Sequence, residues 1–393
     1  MKGVNVIGIG MIPFGKYPEK NIADLGWPAV KAAIKDANID PRRIEAVYSG
    51  TARGGAMVGQ RIMGRIGLAG IPIVNIENAC SSSSGALAQA VIAVGAGAYD
   101  VALVIGVEKL TKFGGGTLPL DEDDWEVKLG LTMPALYAMR AQRYMHDYGV
   151  KAEQIAGVSV KNRANGAKNP DAQMKKEVTV AEVMASRMIA DPFTLLQCCP
   201  TGDGAAAIIL ASDKVARQYR SDPISVRASH LTSGRFMSGF RDMTSPEITV
   251  RGAKETFEEA GLGPEDIDVA EVHDAFSIAE LLYYEAFGFC PRGEGVGLLE
   301  SGATKIGGRI PINPSGGLLA KGHPVGATGA AQVVEIIKQL RGEAGSRQVE
   351  GAKIGMSHAT GGGISGFDHG ACSIHIFQRQ TPPVAKRKVR PRP

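Results

Sequence analysis

Hydrophobic and polar positions along this chain follow two periods. Short apolar runs of strand character stand at 4–9, 71–76, 102–106, 205–210, 224–228, 353–356 and 372–377, and each predicts a β-strand. Between them, apolar residues recur at helical spacing over 27–36, 252–259 and 278–287, which predicts amphipathic helices. Two helical stretches differ. Ala86 to Val94 has Gln89 as its one polar residue, and Gly329 to Ile337 has only Gln332 and Glu335. A helix that is apolar nearly all round must be buried on all sides. The pattern therefore predicts a central helical layer between two sheets, with further helices on the outer faces.

The pattern is also duplicated. Ala37-Asn38-Ile39-Asp40-Pro41-Arg42-Arg43-Ile44 and Ala260-Gly261-Leu262-Gly263-Pro264-Glu265-Asp266-Ile267 each follow an amphipathic helix and lead into a short strand. This reads as a repeated βα unit. The stretch 113–200 breaks the alternation, being charged, Met-rich and poor in strand signals, and predicts a large insertion that serves binding. The expected division is a first half over 1–112 completed by 201–220, an inserted loop domain over 113–200, a second half over 221–380, and a basic proline-rich tail over 381–393.

Composition narrows the function classes. A chain of 393 residues exceeds one ordinary core. The formal net charge of +4 gives no case for nucleic acid as partner, and the basic tail reads as a solvated segment. No apolar run approaches the roughly 20 residues that span a bilayer, and the N-terminus enters its first strand without signal-peptide architecture. The five cysteines, an odd number without zinc-type spacing, support neither a disulfide framework nor a metal site. The expectation is a reduced, cytoplasmic protein.

Candidate chemistry centres on Cys80, in Asn78-Ala79-Cys80-Ser81-Ser82-Ser83-Ser84-Gly85, between a predicted strand and the apolar helix. A thiol at a helix N-terminus meets unpaired N–H groups and the positive end of the dipole, which favour the thiolate nucleophile. Ser81 to Ser84 read as a cap and first turn. Cys198 and Cys199 read as core or pocket wall. Four further segments fall in strand-to-helix or glycine-rich loops: Glu271-Val272-His273-Asp274-Ala275-Phe276-Ser277, Asn313-Pro314-Ser315-Gly316-Gly317, Lys321-Gly322-His323-Pro324-Val325-Gly326-Ala327-Thr328-Gly329, and Ser357-His358-Ala359-Thr360-Gly361-Gly362-Gly363. A cysteine that attacks a thioester or ketone needs a histidine to take its proton. The oxyanion that results needs fixed donors, which glycine-loop N–H groups and a neutral imidazole supply.

Asn-Ala-Cys-Ser, Gly-His-Pro-x-Gly-Ala-Thr-Gly and His-x-x-Gly-Gly-Gly, in this order, resemble the thiolase superfamily, and His-Asp-x-Phe resembles its sterol-carrier-protein-type branch, which includes bacterial and archaeal acetyl-CoA acetyltransferases. The resemblance implies an α/β thiolase fold, with duplicated βαβαβαββ halves in a five-layer αβαβα sandwich. It implies an acyltransferase that cleaves or forms 3-oxoacyl-CoA through an acyl-cysteine at Cys80, with coenzyme A as co-substrate and no permanently bound cofactor or metal. Carried over by position, His323 activates Cys80 and lines a first oxyanion hole that His273 completes. Backbone N–H groups of Cys80 and Gly361 form a second hole, and His358 matches a histidine of the carrier-protein branch.

Arg140, Arg143, Lys161 and Arg163 in the insertion are expected either to meet the phosphates of coenzyme A or to form a solvated basic face. The segment from Gly59 to Leu68 resembles the thiolase dimerisation region, and relatives imply a homodimer with a small zinc-ribbon and OB-fold partner. The glycines and methionines near the expected pocket, Met57 and Met63 among them, suggest a bulky, branched or aromatic acyl group. One departure stands out: the second catalytic cysteine of thiolases falls at Ala359 in one group and at Ala275 in the carrier-protein branch, and both are alanine here. That departure keeps two other readings open, a ketoacyl-synthase-like or aldol-type enzyme and a non-catalytic acyl-CoA or lipid-binding protein.

Overall fold

The all-round apolar helices and the alternating strands assemble as layers. In the computed structural model, which describes residues 3–68, 70–114, 116–235, 241–363 and 368–380, the first half runs β1 (Val4–Met11), α1 (Ile22–Ala37), β2 (Ala46–Gly50), α2 (Val58–Arg65), β3 (Ile73–Ile76), α3 (Ser82–Gly95) and β4 (Val101–Lys109). After the insertion, β5 (Asp203–Ser212) returns to lie between β4 and β1. The insertion carries α4 (Met133–Tyr148) and α5 (Ala152–Ala167). The second half runs β6 (Ile224–Ser233), α6 (Glu247–Ala260), β7 (Val269–Glu271), α7 (Ser277–Ala286), α8 (Gly317–Lys321), α9 (Val325–Arg341), β8 (Ile354–Gly361) and β9 (Ala371–Arg379). The tail at 381–393 lies outside the described residues.

The strand order is β3-β2-β4-β5-β1-β6-β9-β8-β7. In the strand order the two halves join at the β1–β6 seam, through Asn5–Ser225 and Val6–Ile224. Period-two burial builds the layers. On β5, Ala206, Ile208 and Leu210 pack with the central helices α3 and α9, while Ala205, Ala207 and Ile209 pack with α1 on the outside. In the second half, Ile224, Val269 and Phe377 face the same central layer, and Ala228, Ala270, Met356 and Ile374 face α6 and α7. The result is the five-layer αβαβα sandwich. The duplication is structural as well, because short 3-10 turns at Pro41–Arg43 and Pro264–Asp266 precede β2 and β7.

One strand departs from the expected duplicated order. Between α7 and α9 the described backbone makes only isolated bridges, Ala270 to Ile312 and Thr201 to His323, where the first half has β3. Positive φ at Gly302, Gly307, Asn313 and Gly316 keeps that segment looped rather than extended.

The central helices touch backbone to backbone. A Cβ at Gly329 of α9 would lie 2.7 Å from Ser84 Cβ and 2.8 Å from Ser84 N of α3. Gly329→Ala is therefore expected to push the two helices apart and lower stability by about 1–3 kcal/mol, as overpacking does. The check is the urea midpoint at unchanged slope; an unchanged midpoint would show that the layer tolerates the extra methyl.

Candidate active site

Cys80 occupies a 3-10 turn, Ala79–Ser81, that runs directly into α3. Ala79 has φ +47°, a left-handed conformation that an L-residue adopts only when its surroundings hold it there. Glu77 Oε1 accepts the Ala79 N–H at 2.7 Å, and Ser82 Oγ donates to the Ala79 carbonyl at 2.6 Å. The serines after Cys80 do form the first turn. Ser82 bonds locally, whereas the other three hydroxyls reach other elements: Ser81 pairs with Ser373 at 2.8 Å, Ser84 with His375 at 2.8 Å, and Ser83 accepts from Ala330 N at 2.9 Å.

The thiol is not a ready anion. Burial, followed by the negative charge of Glu108, pushes Cys80 up to about 12, against the pull of the Gly362 N–H and its own N–H on the sulfur. A helix terminus supplies about 0.3–1 kcal/mol, whereas full desolvation moves a pKa by several units, so desolvation wins. Both Gly361 and Gly362 lie beside Cys80: the Gly362 N–H meets the sulfur, and a Cβ at Gly361 would stand 3.1 Å from Cys80 N.

Two imidazoles converge on the thiol. One ligating atom each of Cys80, His273 and His323 lies within 4.8 Å of the others, and the two rings meet edge to face with centroids 5.1 Å apart. These are the three residues that the sequence motifs set together. His323 Nδ1 is 2.7 Å from Thr328 Oγ1, and Thr328 gives its own proton to the Pro324 carbonyl at 3.2 Å. The hydroxyl therefore accepts from Nδ1–H, and Nε2 keeps the lone pair a base needs. Burial lowers His323 to about 3, so it is neutral at physiological pH. Burial also holds His273 well below the ordinary range, and its Nδ1 is buried without a hydrogen-bond partner among the described residues.

A buried polar network fixes both histidine loops. Asp274 accepts from Leu318 N at 2.7 Å and from Asn162 Nδ2 at 2.7 Å. Glu271 takes Ser315 Oγ at 2.6 Å and Lys321 Nζ at 3.2 Å. The chain leaving the insertion crosses between the loops: Cys199 N bonds Ala275 O at 3.0 Å, and His323 N bonds Pro200 O at 3.2 Å.

Other expected residues stand elsewhere. His358 lies on the outer face of the sheet, edge-on to Tyr283 and Phe287, with Nε2 3.3 Å from Thr249 Oγ1, and is not part of the pocket wall. The four expected cations do not line the pocket either. Arg140 is buried 3.9 Å from Asp368, Lys161 is buried on Glu280 and the Ile312 carbonyl, and Arg163 Nε donates to the Lys176 carbonyl at 3.0 Å. Arg143 is exposed and pairs with Asp147. Buried cations need internal partners, and these have them.

The cluster of Cys80, His273 and His323 opens into a cavity of about 410 Å³. Its wall includes Met133, Met174, Leu118, Leu195, Phe276 and both Cys198 and Cys199, and its rim carries the exposed Lys16, Arg53 and Arg187. Sequence reasoning missed those three cations, and it missed His369, which lines the cavity beside Tyr137. Ala275 lines the cavity, and Ala359 is buried behind it. No helix among the described residues is long and apolar enough to cross a membrane.

Residues 4–214 match the thiolase N-terminal domain, and residues 229–369 match a thiolase C-terminal domain-like family. The chain is similar to an acetyl-CoA acetyltransferase of Methanothermobacter thermautotrophicus, 44% identical over 96% of this chain and 100% of that one. It is similar to the benzoylsuccinyl-CoA thiolase subunit BbsB of Thauera aromatica, 41% identical over 92% and 95%, and to human sterol carrier protein 2, 38% identical over 98% and 76%. Among solved structures, an Ltp2-ChsH2(DUF35) aldolase superimposes with a TM-score of 0.83 at 26% identity, covering 95% of this chain and 97% of that one.

Proposed function

The chain belongs to the thiolase family and is a coenzyme-A-dependent acyltransferase, and from that premise we propose that its chemistry runs through an acyl-cysteine at Cys80. The convergence of Cys80, His273 and His323 carries this reading. In the degradative direction, Cys80 attacks the 3-keto carbon of a 3-oxoacyl-CoA as its proton passes to His323 Nε2. The new imidazolium and the unpaired His273 stabilise the adduct oxygen. The bond between the α and β carbons breaks, the shortened acyl-CoA leaves, and free coenzyme A collects the acyl group from sulfur. The N–H groups of Cys80 and Gly361 serve the thioester oxygen in that second half, with the Gly362 N–H beside them at the sulfur. His358 has no step here.

The apolar, methionine-containing cavity supports a bulky, branched or aromatic acyl group. Lys16, Arg53 and Arg187 at its rim are the cations suited to coenzyme A phosphates. The exposed edge strand β3, with Val74 45% accessible, supports a homodimer. The two-component Ltp2-ChsH2(DUF35) assembly and the subunit name of BbsB support a small zinc-ribbon and OB-fold partner. Free thiols at all five cysteines support a reduced, cytoplasmic setting. Ala275 and Ala359 favour one second reading, aldol-type carbon–carbon cleavage without coenzyme A as acyl acceptor.

Peptide mass spectrometry tests the main reading. Incubation with a 3-oxoacyl-CoA in the absence of free coenzyme A should load an acyl group on the Cys80 peptide, and added coenzyme A should discharge it. Carbon–carbon cleavage with no adduct on Cys80 would favour the aldol reading instead.

A further inference from the structure

Ala275 and Ala359 leave one proton transfer of the proposed reaction unassigned, since a methyl group moves no proton. Two side chains outside the Cys80–His273–His323 set form a hydrogen-bonded pair in the wall of the same cavity, Tyr137 and His369. We propose that Tyr137, held by His369, is the second proton carrier of the reaction and exchanges a proton with the α-carbon of the acyl-CoA. The inference rests on the acyl-cysteine reading above. Tyr137 is the catalytic residue, and His369 is a positioning residue that acts through it.

The protonation of the pair is set by its partners. His369 Nδ1 is 2.8 Å from the Gly362 carbonyl, which only accepts, so Nδ1 holds the ring proton and Nε2 holds the lone pair. Nε2 is 2.7 Å from Tyr137 Oη, so the phenol donates to it. Oη also meets the hydroxyl of Tyr283, and a phenol oxygen that donates one hydrogen bond still has lone pairs to accept with. The ring is locked, stacked on Phe276 at 4.6 Å and 28° with the Arg140 guanidinium 5.7 Å from its centroid. Gly362 ties the pair to the nucleophile, because its N–H meets Cys80 Sγ while its carbonyl holds His369.

The placement of Tyr137 follows from the helix period. Tyr137, Arg140, Ala141 and Tyr144 form the buried face of α4, with spacings of three and four. The insertion thus supplies the group that the alanines lack.

The step balances without an outside reagent. In condensation, Oη–H first gives its proton to the coenzyme A thiolate released as Cys80 is acylated, and the α C–H bond then breaks as its proton joins the phenolate Oη. The electron pair left on the α-carbon attacks the acyl-cysteine. In cleavage the path reverses: Oη–H protonates the α-carbon released by carbon–carbon scission and becomes a phenolate beside His369. The thiol of incoming coenzyme A then gives its proton to the pair as its sulfur attacks the acyl-cysteine, which recharges the relay for the next turn.

The experiment compares wild type with Tyr137→Phe and His369→Gln in three readouts: thiolysis of a 3-oxoacyl-CoA, deuterium entry at the α-carbon of acetyl-CoA in deuterium oxide, and the rate of carbamidomethylation of Cys80. Both variants are expected to lose about 100-fold in thiolysis and in α-exchange, the scale of one positioned acid/base, while Cys80 alkylation stays within about threefold of wild type. A parallel loss of alkylation and turnover would mean a structural role for the pair and overturn the proposal. So would α-exchange in Tyr137→Phe within threefold of wild type. Wild type that forms no acyl-Cys80 adduct overturns the acyl-cysteine reading itself, a result these variants do not produce. Should Tyr137→Phe fail to fold, His369→Gln alone decides, since it leaves the packed phenol in place.

Discussion

Cys80→Ser is expected to lower thiolysis by at least about 1,000-fold while acyl-CoA affinity changes less than about threefold. The resting pair is a neutral thiol beside a neutral imidazole, because burial holds Cys80 near 12 and His323 near 3. The sulfur becomes a nucleophile only as Nε2 takes its proton. A serine hydroxyl is far more basic once ionised, so the same imidazole cannot strip it at comparable rate, and the ester it would form lacks the reactivity of a thioester. The turn that presents the side chain is held by Glu77 and Ser82 rather than by the thiol, so the variant should melt within a few degrees of wild type. Steady-state kinetics with thermal unfolding as control is the check. A serine variant that keeps a tenth of wild-type turnover would show that the acyl group does not rest on residue 80.

The fold was legible where burial is complete. A helix with no polar side has only one environment open to it, which is why α3 and α9 could be placed between sheets from their residues alone. Half-buried elements were legible in part. The outer helix α1 begins at Ile22, ahead of its clearest apolar periodicity, because Asn21 and Asp24 form a capping box there. Cys80, His273 and His323 could be singled out because each sits in a short segment whose residue types suit one chemistry, and the fold brings the three together. The cations were not: Arg140 and Lys161 look like a basic face in sequence, and only packing reveals their buried carboxylate partners. Tyr137 and His369 lie 232 positions apart, in segments that share no pattern, and only the layering brings them together. The charge state of Cys80 was misjudged because the terminus effect is visible in sequence whereas desolvation is a property of the assembled cavity.

His323→Ala should lower kcat by about 1,000-fold, within the range for a positioned base, and its neighbour should show how that base is set. Thr328→Val removes the oxygen that accepts from Nδ1 and lets the ring proton occupy Nε2, where it faces the sulfur and blocks proton acceptance. About a tenfold loss in kcat with little change in KM is expected, and Thr328→Ser should restore it. The pH dependence fixes the sign. The base works only when neutral, and burial lowers its pKa to about 3, so wild-type kcat/KM should show no His323 limb near the ordinary value of about 6.5. The same depression acts on stability. Below about 6.5 the unfolded imidazole binds a proton that the folded one refuses, so stability is full above that pH and falls as pH drops towards about 3. His323→Ala removes this term, and its unfolding free energy should fall less steeply between pH 6 and pH 4, by up to about 1.4 kcal/mol per pH unit. An acid limb near 6.5 in wild type that disappears in His323→Ala would show a solvated imidazole and sink the neutral-pair mechanism.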